Sequence, residues 1–310
     1  MFGMGTLYHA LTLRSLQEER IESGGEMAKT VGGSLRDEFS TLVRFRMEEL
    51  NQLTTQMQKP GAQVFAGATA DFRSDVANIT VFTPRKGGYT SKTLTNHALL
   101  ESQELPEDFV EQLEEQNPLE VEELAKRTES NMINRSFTTE AGPVGILSFV
   151  LYSKTMDGKT RGPIVVADLL AENTQKKLRR SESVEAFIVS EDGSLLAHAD
   201  AAKMVEYRHE AFPDFPQKGL PENWMEGSRF NWMHGSQEWI TMVMPTALPG
   251  AFLTAQVSRA TVQAVVTKLS HQAWLVMAFM GGILLVLSIW VASGLARNAH
   301  SINNALQQMA

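Results

Sequence analysis

The chain has 310 residues, 36 of them acidic and 28 basic, for a formal net charge of −8. That negative surplus argues against a nucleic-acid partner, which needs a clustered basic face. The chain has no cysteine, which excludes a disulfide framework, a thiolate metal site and a cysteine nucleophile.

Met1–Leu13 (MFGMGTLYHALTL) is uncharged and mostly apolar, too short to span a bilayer and without the basic start of a signal peptide. It reads as an amphipathic helix end or as the tail of a first transmembrane helix, and the second is the expectation. Leu13 to Gln58 then reads as one long helix. From Val31 onward, Val31, Leu35, Phe39, Leu42, Leu50, Leu53 and Met57 follow in threes and fours, with Arg46 in one apolar slot. Gly24-Gly25 and Gly32-Gly33 are expected to weaken this helix by ~1 kcal/mol per glycine relative to alanine. Pro60-Gly61 ends it. The apolar stripe suits packing on the chain's own domain, a parallel dimer seam, or both.

Mixed structure follows. Asn78–Thr83 is a short strand, Pro84–Gly88 a turn, and Pro106 to Arg127 an acidic helix whose glutamates, Glu111–Glu115 among them, read as a solvated face. Asn131–Phe137, Val144–Thr155 and Pro163–Asp168 read as consecutive strands, turned at Glu140–Pro143 and Asp157–Lys159. After a short helix at Ala171–Arg180, strands at Val184–Ser190 and Ser194–His198 flank an Asp192-Gly193 turn. A loop at Phe212–Gly227 leads to strands at Ser228–His234 and Glu238–Pro245, joined by Gly235-Ser236. A last strand, Ala251–Val257, passes into a helix from Ser258. The order helix, strand, hairpins occurs twice, which predicts two α+β modules.

Ala273–Leu295 (AWLVMAFMGGILLVLSIWVASGL) carries no charged side chain. At ~1.5 Å per residue it matches the ~30 Å hydrocarbon core of a bilayer. Trp274 and Trp290 stand near its ends, with Lys268 and Arg297 beyond. A buried core helix is the alternative, but core helices seldom run so far without a charge.

Three stretches resemble double Cache sensor regions of bacterial transmembrane receptors. Val184–Asp200 (VEAFIVSEDGSLLAHAD) resembles the start of the membrane-proximal module, with Ala199 where proline is usual. Gly162–Leu169 (GPIVVADL) resembles the closing strand of the membrane-distal module. Trp239, Met242–Pro245 and Gly250–Val257 resemble the paired final strands. Beyond the membrane segment, Arg297, Ala299, Ile302, Leu306 and Met309 resemble the opening helix of a HAMP linker, although Asn298 replaces its proline. The resemblance implies an α+β fold with a long N-terminal helix and two stacked PAS-like antiparallel modules, followed by a transmembrane helix.

The implied segments are 1–13 (end of a first transmembrane helix), 14–60 (signalling or dimer helix), 61–182 (distal module) and 183–257 (proximal module). They continue as 258–272 (exit helix), 273–295 (transmembrane helix) and 296–310 (start of HAMP). The resemblance further implies a homodimer in the cytoplasmic membrane, residues 14–272 outside and the C-terminus inside. It would sense a small molecule and pass the signal to an output module such as a methyl-accepting domain, kinase or cyclase. A tethered binding protein without its own output domain, or a tethered hydrolase, are the alternatives.

Enzyme motifs are absent: no Gly-x-Ser-x-Gly elbow, no His-Glu-x-x-His helix and no phosphate-cradling glycine loop. No catalytic residue, metal or cofactor is expected, and His198-x-Asp200 reads as part of the hairpin rather than a metal site. One subset of double Cache domains holds an amino acid in the distal module through an Arg-x-Trp-Tyr run and a later aspartate. That resemblance implies Arg135, Phe137, Tyr152 and Asp168 as ligand-binding residues, although Thr138 replaces the tyrosine. The implied ligand is an amino acid, an amine or a small carboxylate, with Lys154 a further candidate anchor. A plain Arg135–Asp168 salt bridge remains the alternative. On the ligand-binding reading, Arg135→Ala abolishes binding at little cost in stability.

Overall fold

The computed structural model describes residues 2–57, 75–126, 130–154, 161–181, 183–216 and 220–309. The helix end at Pro60-Gly61, the turn at Asp157–Lys159 and the side chains of residues 1–21 lie outside the described ones. The chain divides into two units, Met1–Arg259 and Ala260–Ala310.

In the first unit, helix α1 (Phe2–Met57) runs unbroken through both glycine pairs. Leu35, Phe39, Val43 and Leu50 are buried in the chain's own core. Arg46, in the apolar slot, is equally buried because its guanidinium pairs with Asp75 and, at 2.8 Å, with Glu49. Gly32 has a packing reason. A Cβ built there would stand 2.4 Å from Met244 Cε and 2.7 Å from Ala255 Cβ, so only glycine lets the helix lie this close to a sheet.

Among the described residues, ten strands form two separate five-stranded antiparallel sheets, and two more form a small hairpin. The first sheet contains β1 (Val76–Arg85), β2 (Gly88–Thr95), β3 (Asn131–Asn134), β6 (Ile146–Lys154) and β7 (Arg161–Leu170), ordered β2-β1-β7-β6-β3. β4 (Phe137–Thr139) and β5 (Gly142–Val144) make the hairpin. Side chains alternate across each strand. Val165, Ala167 and Leu169 of β7 join the core under α1, while Ile164 and Val166 point the other way. That second face is covered by α2 (His97–Ser102), α3 (Phe109–Gln116) and α4 (Val121–Lys126), whose Leu99, Phe109, Leu113 and Leu124 pack onto it.

After α5 (Glu172–Leu178) comes the second sheet. Its strands are β8 (Glu185–Ser190), β9 (Leu195–His198), β10 (Ser228–His234), β11 (Gln237–Pro245) and β12 (Ala251–Ser258), ordered β10-β11-β12-β8-β9. Helix α6 (Ala201–Glu206) follows β9, N-capped by Asp200 through Ala202 N–H.

Three differences from the sequence reading have local causes. Strand β2 escapes it because GYTSKTLT is a mostly exposed edge strand with no apolar alternation, and helix α2 because six residues are too few to show a helical period. The acidic helix breaks into α3 and α4 around Asn117-Pro118, since proline disfavours helix in the residue before it. The Asn131–Phe137 strand is two strands, with Arg135-Ser136 in the link between them.

The second unit belongs to one helix, α7 (Arg259–Met309). It follows β12 with no intervening residue. Its Leu275–Gly294 stretch, with mean hydropathy 2.5, is long and apolar enough to cross a bilayer.

Candidate functional site

Asp168 sits where three strands align. Its register partners are Asn78 on β1 and Ser148 on β6, so these polar residues share one row, facing the helical cover. All three are fully buried. The row interrupts a face otherwise filled by two apolar clusters. Arg135 reaches the row from the β3–β4 link, where its own N–H is fixed to the Ile146 carbonyl at 3.1 Å. The link explains its direction: once β3 ends, the side chain is free of strand alternation.

Arg135 is 1% exposed as a residue, and its guanidinium is heavily engaged. Nη1 donates to Asp168 Oδ2 at 2.9 Å, and Nη2 to Glu114 Oε1 at 2.6 Å. Nε and Nη2 both donate to the Asn117 carbonyl, at 3.1 and 2.8 Å. The Ser148 hydroxyl donates to the other Asp168 oxygen. A buried ion pair needs this many hydrogen bonds to offset its desolvation. Within the network, Asn78 stays unsatisfied: neither its Oδ1 nor its Nδ2 finds a partner. Asn117 Nδ2 is likewise buried and unpaired.

The arrangement holds carboxylates. Asp168 is an immobile partner with no exposure, whereas the Glu114 side chain is 41% exposed and hangs from a helix surface. Glu114 is therefore the exchangeable one. A cleft of about 810 Å³ opens beside this network, between the two sheet modules, and Asn117, Asn131, Asn134 and Arg135 line its distal wall. Asp192 and Arg208 line the other. The modules are tied across it by Asn134 Nδ2, which donates to the carbonyls of Leu195 and Met204 at 2.9 and 2.8 Å. Arg208 Nη1 adds a bond to the Ser136 carbonyl at 3.0 Å.

Of the residues singled out from the sequence, Arg135 and Asp168 come together. Phe137 is buried beside them in the core, edge-on to Phe109 with ring centroids 5.1 Å apart. Tyr152 lies on the same sheet face as Ser148 but four residues further along β6, roughly 13 Å away at strand rise. The Lys154 side chain lies outside the described residues. Glu114, Ser148, Asn78 and Asn117 had no signal in the sequence; Glu114 in particular is one glutamate among many on an acidic helix.

The proximal sheet carries a second polar cluster. β12 is buried on both faces, with Ala251, Leu253, Ala255 and Val257 alternating with Phe252, Thr254, Gln256 and Ser258. Gln256 Nε2 donates to Glu185 Oε2 at 3.1 Å, while Gln256 Oε1, Thr254 Oγ1 and Trp239 Nε1 are buried without partners. Beside them Lys203 Nζ stands 3.0 Å from Asp214 and 3.5 Å from Glu185. His198 Nδ1 accepts from Asp200 N–H at 2.9 Å, which leaves the ring proton on Nε2, 3.5 Å from Glu185 Oε1. That contact is long for a hydrogen bond, yet with Gln256 and Lys203 it outweighs burial and holds the Glu185 carboxyl down at about 2. His198 and Asp200 thus serve the hairpin and the α6 cap.

No protein-family model matches the sequence, and no curated protein matches it. Solved structures do. The ligand-binding domain of the amino-acid chemoreceptor PctC of Pseudomonas aeruginosa PAO1, in complex with GABA, is 17% identical with a TM-score of 0.50, covering 75% of this chain and 99% of that one. That of the chemoreceptor CtaA of Pseudomonas fluorescens, with L-isoleucine, is 16% identical with a TM-score of 0.50, covering 81% and 98%. That of the P. aeruginosa amino-acid chemoreceptor PctB, with L-Arg, is 17% identical with a TM-score of 0.50, covering 81% and 92%. This chain has the double Cache fold of those ligand-binding domains.

Proposed function

We propose that this chain is the input region of a membrane receptor, which senses a small carboxylate-bearing molecule outside the cell and transmits the event through α7. The carrying observation is the buried Arg135 charge, pinned on one side by Asp168 and on the other by the half-exposed Glu114. An incoming carboxylate takes the place of Glu114 on the guanidinium, reaching it from the inter-module cleft. Amino acids fit best, because their ammonium meets Asp168 and the unpartnered Asn78 amide. Phe137 backs the site and Tyr152 forms its far wall. That the structural neighbours PctC, CtaA and PctB were solved with amino-acid ligands supports the same class. On this reading residues 14–272 lie outside the cytoplasmic membrane, 273–295 cross it, 296–310 begin a HAMP linker, and the α1 helices of two copies pair.

Arg135→Ala is a poor test, because it strands a fully buried Asp168. The better one is a thermal-shift screen of the full chain in nanodiscs against amino acids, amines and small carboxylates. A true ligand at a hundred times its Kd adds ~2.7 kcal/mol of stability. Glu114→Gln, which weakens the internal competitor, tightens that ligand. Silence across the amino acids and carboxylates, or a carboxylate-bearing ligand indifferent to Glu114→Gln, refutes the proposal.

A further inference from the structure

Strand β12 poses a problem that the distal site leaves open. A strand with every residue buried is expected to be apolar, yet one face of this one presents Thr254, Gln256 and Ser258 in succession. Their register partners extend the polarity: Gln256 faces Thr241 on one side and Glu185 on the other, and Ser258 faces Trp239. Thr241 is satisfied by Trp232 Nε1 at 2.9 Å. Gln256 Oε1, Thr254 Oγ1 and Trp239 Nε1 are not. A buried polar atom without a partner costs about 1–3 kcal/mol, and three in one patch are hard to explain as packing.

The patch has a charged side. Glu185 and Asp214 are both in reach of Lys203, and all three are half-buried rather than sealed. Two carboxylates against one ammonium leave a surplus negative charge. Next to it stand an unused carbonyl acceptor (Gln256), an unused hydroxyl (Thr254) and an unused indole donor (Trp239).

We propose that this face of the proximal module is a second binding site, for a small protonated amine that also carries a hydrogen-bond acceptor. The ammonium sits with Glu185 and Gln256 Oε1, and the acceptor takes the Trp239 N–H or the Thr254 hydroxyl. The site is separate from Arg135, and its failure would leave the distal reading untouched. It acts on the strand that continues directly into α7.

The test is titration calorimetry of the full chain in nanodiscs with ethanolamine, propanolamine and 2-methoxyethylamine, none of which carries a carboxylate for Arg135, using ethylene glycol and propanol as controls without an ammonium. At least one amine binds and neither control does. Thr254→Val keeps the side-chain shape and removes an unsatisfied hydroxyl, so the variant folds at least as stably as the parent. In it the amine binds roughly tenfold weaker or worse. Glu185→Gln, which keeps shape and removes charge, abolishes the preference for amines over the controls. No binding by any of the three amines overturns the proposal, and so does binding unchanged in both variants.

Discussion

The residues that matter most here are charges held out of water. Arg135 is buried against Asp168, with Ser148 and the Asn117 carbonyl completing the set. Removing one partner of such a pair leaves an uncompensated charge, so Arg135→Ala should lose about 3–5 kcal/mol of unfolding free energy by denaturant titration. Glu114→Gln removes only a half-exposed partner and should stay within ~1 kcal/mol of the parent. A loss below ~1 kcal/mol for Arg135→Ala would mean that the pair is not structurally needed. Glu185 gives a prediction in pH. Its folded value of about 2 lies below the ordinary 4.5, chiefly through His198 and then Gln256 and Lys203. A depressed carboxylate contributes stability above its unfolded value and loses it as pH falls through the folded one. Acid unfolding should therefore steepen between pH 4.5 and about 2, and Glu185→Gln should flatten that limb.

Among the elements, α1 and β12 decide how the proximal module is built. Two neighbouring glycines make the point. Alanine at Gly32 drives a Cβ to 2.7 Å from Ala255 Cβ, so helix and sheet must part, at about 1–3 kcal/mol. Alanine at Gly33 meets nothing within 4 Å and should stabilise by ~1 kcal/mol through helix propensity. Chemical denaturation of the two variants reads the opposite signs. The sequence treats these glycines alike, because propensity is local and the approach of β12 is not. The same limit explains the rest. Strands with an apolar face, such as β7, β8 and β12, and the Asp192-Gly193 and Gly235-Ser236 turns were legible, since alternation and turn chemistry are written in neighbouring residues. The edge strand β2 was not, and neither was the break at Arg135-Ser136. At the site, the opposite charges of Arg135 and Asp168 were legible through the family resemblance. Glu114, Ser148 and Asn78 were not, because strand register and helix docking alone bring them to Asp168.

For the whole molecule, the proposed signalling role runs through β12, which continues into α7 without an intervening residue. A bound ligand can bias that path only by favouring one of two arrangements of it. Inserting one residue near Thr267 turns everything after it by ~100° about the helix axis. In a chimera that joins this chain to a cytoplasmic reporter domain, the insertion should lock or abolish output while ligand binding survives. Ligand-dependent output that is unchanged would reduce α7 to an anchor. The most direct measurement is the dose–response of the uninterrupted chimera in cells, with ligand added only outside. Reporter output should change saturably at the concentrations that stabilise the purified chain, with the midpoint shifted to lower ligand by Glu114→Gln. A flat response to a ligand that demonstrably binds would contradict the proposed signalling role.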